Sequence, residues 1–220
     1  MDLLKFLKLK ENKQRSLTID FGASFVKIVR LEASNGVYRL LTYVLSSLEA
    51  SQKTVEEVSA VLKQLLEGNS ITEKEVSLSI SDEDWIFIKK LTLPLMPKDE
   101  LFKAVKWQLK GQFSFSPEDN VADLQVIREY TDSEEAKKVE LFCVFAKKDI
   151  INKYVSICLA SGLSPVKVSS SVFNYCGTLS RLSSNPEISA ILDIGHIHSQ
   201  VSIYQKNKLS FVRNLNFSVE

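Results

Sequence analysis

Apolar and polar positions along this chain fall into two matching blocks. Residues 16–31, Ser16-Leu-Thr-Ile-Asp20-Phe-Gly22-Ala-Ser24-Phe-Val-Lys27-Ile-Val-Arg-Leu31, hold an apolar run, an Asp-x-Gly turn and a second apolar run. Residues 189–204 repeat the arrangement as Ser189-Ala-Ile-Leu-Asp193-Ile-Gly195-His-Ile-His-Ser199-Gln-Val-Ser-Ile-Tyr204. The alternation of Val26, Ile28, Val29 and Leu31, and of Val201 and Ile203, fits strands with one or both faces buried. Each block leads through a turn, Asn35-Gly36 or Lys206-Asn207, into a third apolar run at 37–44 or 209–215. A unit of three strands is therefore used twice, 173 residues apart.

The intervening pattern mixes periods. Thr54-Val-Glu-Glu57 is a capping box opening a helix with Val55, Val58, Val61, Leu62, Leu65 and Leu66 on one face, and Gly68 is its expected stop. Strands are expected at 76–80, 85–93, 121–130 and 139–146. A second helix follows Pro97 with Leu101, Ala104, Val105 and Leu109 inward, a third runs from 148 to Gly162, and a fourth spans 170–182. Strands alternating with helical crossovers predict an α/β protein. The polar cluster Ser183-Ser-Asn-Pro186 marks the best domain boundary.

Composition narrows the function classes. The 220 residues carry 28 Lys+Arg against 27 Asp+Glu, a balance that argues against nucleic acid as a partner. Cys143, Cys158 and Cys176 are odd in number and share no CxxC spacing, so they read as reduced core residues of a cytosolic protein. No apolar run reaches the roughly 18 residues of a membrane span. Residues 1–15 alternate apolar and basic positions, with five Lys/Arg against two acids. They read as a solvated tail or, less readily, as an amphipathic foot on an anionic inner leaflet.

The two Asp-x-Gly turns carry the candidate chemistry. A tight turn between strands points successive N–H groups into one concavity suited to phosphate oxygens, and Gly22 and Gly195 keep it open. Asp20 and Asp193, at strand ends, would face the same cleft and hold Mg²⁺ through its waters or position a water. Ser24 adds a hydroxyl and Lys27 a cation. One Asp-x-Gly is also a plain turn signature, but two in the same context favour a phosphate-binding cleft over two structural turns. His196 and His198 crowd the second turn. They invite a metal reading, yet no third ligand has zinc spacing, so solvent-facing or packing histidines are expected.

Asp20-Phe-Gly-Ala-Ser-Phe-Val-Lys27 and Asp193-Ile-Gly195 resemble the two phosphate loops of the actin, sugar-kinase and heat-shock-chaperone superfold. Leu91-Thr-Leu-Pro94-Leu-Met-Pro97, the stretch from Ala104 to Phe113-Ser-Phe115-Ser-Pro117-Glu, Asp123-Leu-Gln-Val126, Ala146-Lys-Lys-Asp-Ile150 and Ala160-Ser-Gly162-Leu-Ser-Pro165 resemble the PilM family of type IV pilus assembly proteins, in collinear order. That resemblance implies an actin-like lobe, related to the ribonuclease H fold, with an inserted α+β subdomain of the kind shared with the division protein FtsA. It implies ATP and Mg held by Asp20, Gly22, Ala23, Ser24 and Lys27 from one side and by Asp193, Gly195 and His196 from the other. It also implies a cytoplasmic scaffold, peripheral to the inner membrane, that captures the N-terminal peptide of a PilN-like inner-membrane protein and works with other pilus platform proteins.

The expected organisation is a basic tail at 1–15, lobe I at 16–75, the insert at 76–165, a closing helix at 166–185 and the start of a second lobe at 186–220. Phe113, Phe115 and Trp107 are candidates for exposed apolar contacts, with closing the insert's own core the favoured role. The histidines after Gly195, and the 27 residues that follow Asp193, lead us to expect impaired nucleotide binding and no measurable ATPase from this chain. Two alternatives share the superfold: an ATP-dependent kinase or ATPase, and the cytoplasmic platform domain of a type II secretion system.

Overall fold

The period-two segments form strands at both predicted blocks. In a computed structural model that describes residues 14–48, 53–80, 86–111, 119–182, 187–197, 199–206 and 208–218, the first block becomes β1 (Gln14–Phe21), β2 (Phe25–Ser34) and β3 (Val37–Ser47). The second becomes β9 (Ile188–Ile194), β10 (Ser199–Gln205) and β11 (Lys208–Leu215). The tail 1–13, Trp85, Phe113, Phe115, the boundary 183–186, His198 and Asn207 lie outside the described residues. The chain divides into two compact units, one from Met1–Ile80 and Ser156–Ser169, the other from Ser81–Val155 and Ser170–Glu220.

Unit 1 is built on a mixed sheet in the order β3-β2-β1-β4-β8, where β4 is Glu75–Ile80 and β8 is Ser164–Ser170. β1 pairs antiparallel with β2 and parallel with β4. One face of this sheet carries Leu17, Ile19, Phe21, Val26, Ile28, Val76, Leu78 and Ile80, all buried. Helix α1 (Val55–Gly68) buries Val58, Leu62 and Leu66 in the same unit. Its capping box is formed as expected: the Glu57 N–H donates to Thr54 Oγ1 at 3.2 Å and the Thr54 N–H to Glu57 Oε2 at 2.8 Å. The expected Gly68 stop is displaced. Gly68 is the last helical residue, Asn69 donates its side chain to the Leu65 carbonyl at 2.8 Å, and Ser70 takes the left-handed backbone at φ 52°. The N–H of Ile71 then closes on the Leu66 carbonyl at 2.9 Å.

Unit 1 includes β4, from the start of the expected insert, and β8 up to Ser169, a segment that spans the end of the expected insert and the start of the expected closing helix. β4 is hydrogen-bonded along β1, with Ile19 opposite Leu78. β8 was not expected as a strand at all; its Ser164 N–H donates to the Lys74 carbonyl at 2.7 Å and its Ser169 hydroxyl to the Leu78 carbonyl at 3.2 Å. Arg30 of β2 is bonded through Nε to Glu73 Oε1 at 2.7 Å, with both side chains largely buried. Partial burial works to raise the Glu73 carboxyl, but the Arg30 hydrogen bond and neighbouring backbone donors outweigh it and hold its pKa below the ordinary carboxylate value.

Unit 2 holds two antiparallel sheets. The first, β5-β7-β6, consists of β5 (Ile86–Pro94), β7 (Lys137–Lys147) and β6 (Asn120–Thr131). Helix α2 (Lys98–Gln108) packs Leu101 and Val105 into a core with Leu91, Leu93, Val139, Leu141, Cys143 and Phe145. Glu140, on the middle strand, takes Lys90 Nζ of β5 on one oxygen at 2.7 Å and Arg128 Nε of β6 on the other at 2.8 Å. The second sheet, β11-β10-β9, lays Tyr204 and Leu209 in a core with Val172 of helix α4 (Ser171–Leu182) and Phe142 of β7. The Tyr204 hydroxyl donates to the Val172 carbonyl at 2.8 Å. Helix α3 (Lys148–Ala160) has its first eight residues in unit 2 and its last five in unit 1, and Gly162, in the left-handed region, follows its end as expected.

Candidate functional site

The β1–β2 register sets the first turn. Asp20 pairs with Lys27 and Phe21 with Val26, leaving residues 22–25 as the connection. Directly opposite residues of an antiparallel pair share a face, so Lys27 Nζ reaches Asp20 Oδ2 at 3.1 Å. The two side chains are 47% and 22% exposed, and such an open pair contributes about 0.5 kcal/mol, so its main effect is to fix where the two charges sit. The Gly22 N–H donates to the Phe25 carbonyl at 3.0 Å, and a Cβ at this position would lie 3.2 Å from that oxygen. Close approach rather than left-handed backbone is therefore what glycine supplies. The amides of Ala23 and Ser24 have no acceptor among the described residues, so two donors of this turn are available to an anion.

The second turn has the same frame and different furnishings. Asp193 pairs with Gln200 and Ile194 with Ser199, again leaving four residues, 195–198, as the connection. Gln200 stands where the first copy has Lys27, and its amide donates to Asn214 Oδ1 at 2.9 Å. Asp193 instead accepts the Tyr175 hydroxyl, from α4, on Oδ2 at 2.7 Å. Ser199 is fully buried and its hydroxyl has no partner among the described residues. His196 and Ile197 are exposed, and no group of three or more His, Cys, Asp or Glu side chains forms a metal cage among the described residues.

The remaining candidates resolve as follows. The three cysteines are free; burial pushes the Cys143 thiol up to about 11 and the Cys158 thiol to about 12, and raises Cys176 as well. Cys143 and Cys158 are buried in the core, where a raised pKa favours the protonated thiol, while Cys176 is half-buried. Trp107 corrects an expectation: rather than closing the core of its own subdomain it is 81% exposed on α2. The roles of Tyr175 and Gln200 were not read from the sequence. Gln200 was within reach, because it lies seven residues after its aspartate as Lys27 does, whereas no local pattern ties Tyr175 to Asp193.

A mixed five-stranded sheet led by an antiparallel hairpin, followed after helical crossovers by a second hairpin-led sheet, is the α/β actin-like ATPase fold. The chain belongs to the type IV pilus assembly protein PilM family, whose model matches residues 18–219. Among solved structures, it is similar to the PilM-PilN type IV pilus biogenesis complex, with a TM-score of 0.80 and 21% identity over 92% of this chain. It spans 62% of that relative's length. It is similar at a TM-score of 0.59 and 11% identity to the cytoplasmic domain of EpsL, an inner-membrane component of the type II secretion system of Vibrio cholerae, over 92% of this chain and 71% of that one. A Bacteroides thetaiotaomicron protein with an actin-like ATPase fold matches at 0.51 and 11% identity, over 97% of this chain and 74% of that one. Identities this low speak to fold alone. No curated protein sequence matches the chain. No described helix is long and apolar enough to cross a membrane.

Proposed function

We propose that this chain acts as an actin-like scaffold of type IV pilus assembly that holds the cytoplasmic N-terminal tail of a PilN-like inner-membrane protein. Such a chain is cytoplasmic and sits peripheral to the inner membrane through that partner. The carrying observation is the PilM family match along residues 18–219, supported by the fold shared with a relative solved in complex with PilN. β3 suits an extended tail. It is the outer strand of its sheet, and Tyr38, Leu40, Tyr43 and Leu45 are exposed on one face, opposite Ala33, Leu31, Val29 and Lys27 of β2. An added strand satisfies the free backbone groups of such an edge while alternate side chains find apolar contacts.

For ATP and Mg, the Asp20 turn is the better seat. The Ala23 and Ser24 amides would take phosphate oxygens, Lys27 would add a cation, and Asp20 would hold a hydrated Mg²⁺, which when bound neutralises phosphate charge. Gly22 shapes the turn but spends its own N–H on Phe25. The turn with Asp193 and Gly195 is by itself the poorer seat for phosphate and metal, because Asp193 is engaged by the Tyr175 hydroxyl and His196 adds bulk beside Gly195. Binding without measurable turnover is the expected outcome. The test is titration of the chain with a fluorescent PilN-like tail peptide and, separately, with Mg-ATP. Saturable peptide binding that falls at least tenfold in Leu40→Asp/Tyr43→Asp supports the scaffold reading, and no peptide binding overturns it. Asp20→Asn should abolish whatever nucleotide signal the parent shows.

A further inference from the structure

α2 carries a feature that tail capture does not use. Its inner residues Leu101 and Val105, with Leu109 just after it, are locked into the core of the β5-β7-β6 sheet, so the opposite face is fixed outward. On that face Lys103, Lys106 and Trp107 stand on the last two turns and Lys110 follows in the next turn, all exposed. At i, i+3, i+4 and i+7 they form one stripe. None of the three lysines makes an ion pair among the described residues. The acids of the helix, Asp99 and Glu100, sit in its first turn. They lie about 5–6 Å along the axis from Lys103, whose charge they partly offset, but about 9 Å or more from Lys106, Trp107 and Lys110, beyond a physiological Debye length of about 8 Å.

We infer that this stripe is a contact site for an anionic lipid surface. An indole on the convex outer face of a helix has no pocket of its own, and lysine stems on neighbouring positions extend apolar cover around it while their ammonium groups reach headgroups. The positive stripe complements the negative charge of the bilayer, and an amphipathic aromatic is suited to the headgroup boundary. An acidic peptide would meet the same charge but would leave the indole without a cavity to fill. The site is independent of the partner reading, because it is tested on vesicles that contain no protein.

The experiment uses the full chain carrying Trp85→Phe, so that tryptophan emission reports Trp107 alone. Vesicles of phosphatidylglycerol and phosphatidylcholine in equal parts should sediment the protein and shift its emission to the blue, while pure phosphatidylcholine should do neither. Lys103→Gln/Lys106→Gln/Lys110→Gln, neutral changes at exposed positions, should keep the parent circular dichroism and weaken vesicle binding at least about 25-fold, at about fivefold for each of Lys106 and Lys110 and less for Lys103 beside the helix acids. Unchanged sedimentation of that variant would show that the basic residues of the N-terminal tail carry binding, and would overturn the site. So would an unshifted emission on bound protein, or a shift produced by a polyglutamate peptide and not by vesicles.

Discussion

The two copies of the three-stranded unit share a backbone plan and differ in what covers it. Both have a four-residue turn after the aspartate-bearing strand. Both also have a register shift between the tenth and eleventh residues after that aspartate, at Arg30/Leu31 and Ile203/Tyr204. Yet Phe21 and Ile19 are fully buried, whereas the residues at the same places in the second copy, Ile194 and Leu192, are 49% and 53% exposed. A hairpin geometry can thus be kept while the apolar face it generates is used as core in one setting and left open in another. Backbone register comes from turns and strand pairing, and energetics comes from what the face meets.

The sharpest way to break the equivalence is a matched truncation. Ile19→Ala should destabilise the chain by about 3–4 kcal/mol in urea unfolding, because it empties a filled core position. Leu192→Ala should cost less than about 1 kcal/mol. Equal losses would mean that the second face is covered in solution.

The next effect concerns Glu73. Its partner Arg30 sits at the place where the second copy has Ile203, so this ion pair belongs to one copy only. Glu73→Gln should cost about 2 kcal/mol at neutral pH, since it breaks a charge-assisted bond to a part-buried guanidinium. The pKa of Glu73 is lowered on folding from an ordinary 4.5. Its contribution is therefore fully present above that value and is lost as pH falls below it, through the folded-state pKa. Unfolding measured across that range should show a shallower loss of stability in Glu73→Gln than in the parent.

Smaller changes probe the aspartates themselves. Tyr175→Phe removes the hydroxyl bound to Asp193 and should cost about 1 kcal/mol. Lys27→Gln copies the second hairpin into the first and should cost no more than about 0.5 kcal/mol, because the pair with Asp20 is solvent-exposed. If Lys27→Gln proved the costlier of the two, the first turn would depend on its charge for folding as well as for its proposed ligand.

Much of this plan was legible in the chain itself. The duplicated Asp-x-Gly blocks, the Asn35-Gly36 reversal with φ of 51° and 78°, and the Thr54 capping box are local signals, and local signals survive folding. β8 was not legible. Val166 and Val168 point to solvent, so no buried alternation announces a strand that is held by its backbone pairing at the sheet edge. The α1 stop was misplaced because Asn69 and Ser70 can supply the reversal that Gly68 advertised. The Asp193 partner was invisible for a different reason: a tyrosine eighteen residues upstream on another element becomes a neighbour only through tertiary packing.

Glu140 also acts on the alignment of strands. Each of its oxygens is claimed by a different neighbouring strand, and its side chain is only 13% exposed. A slip of β5 or β6 by one residue would turn Lys90 or Arg128 to the opposite face and strand a buried carboxylate without its counter-charge. A single acid on the central strand, held from both sides, therefore adds a charge penalty to any one-residue slip of either neighbour, on top of the apolar surface that such a slip would expose.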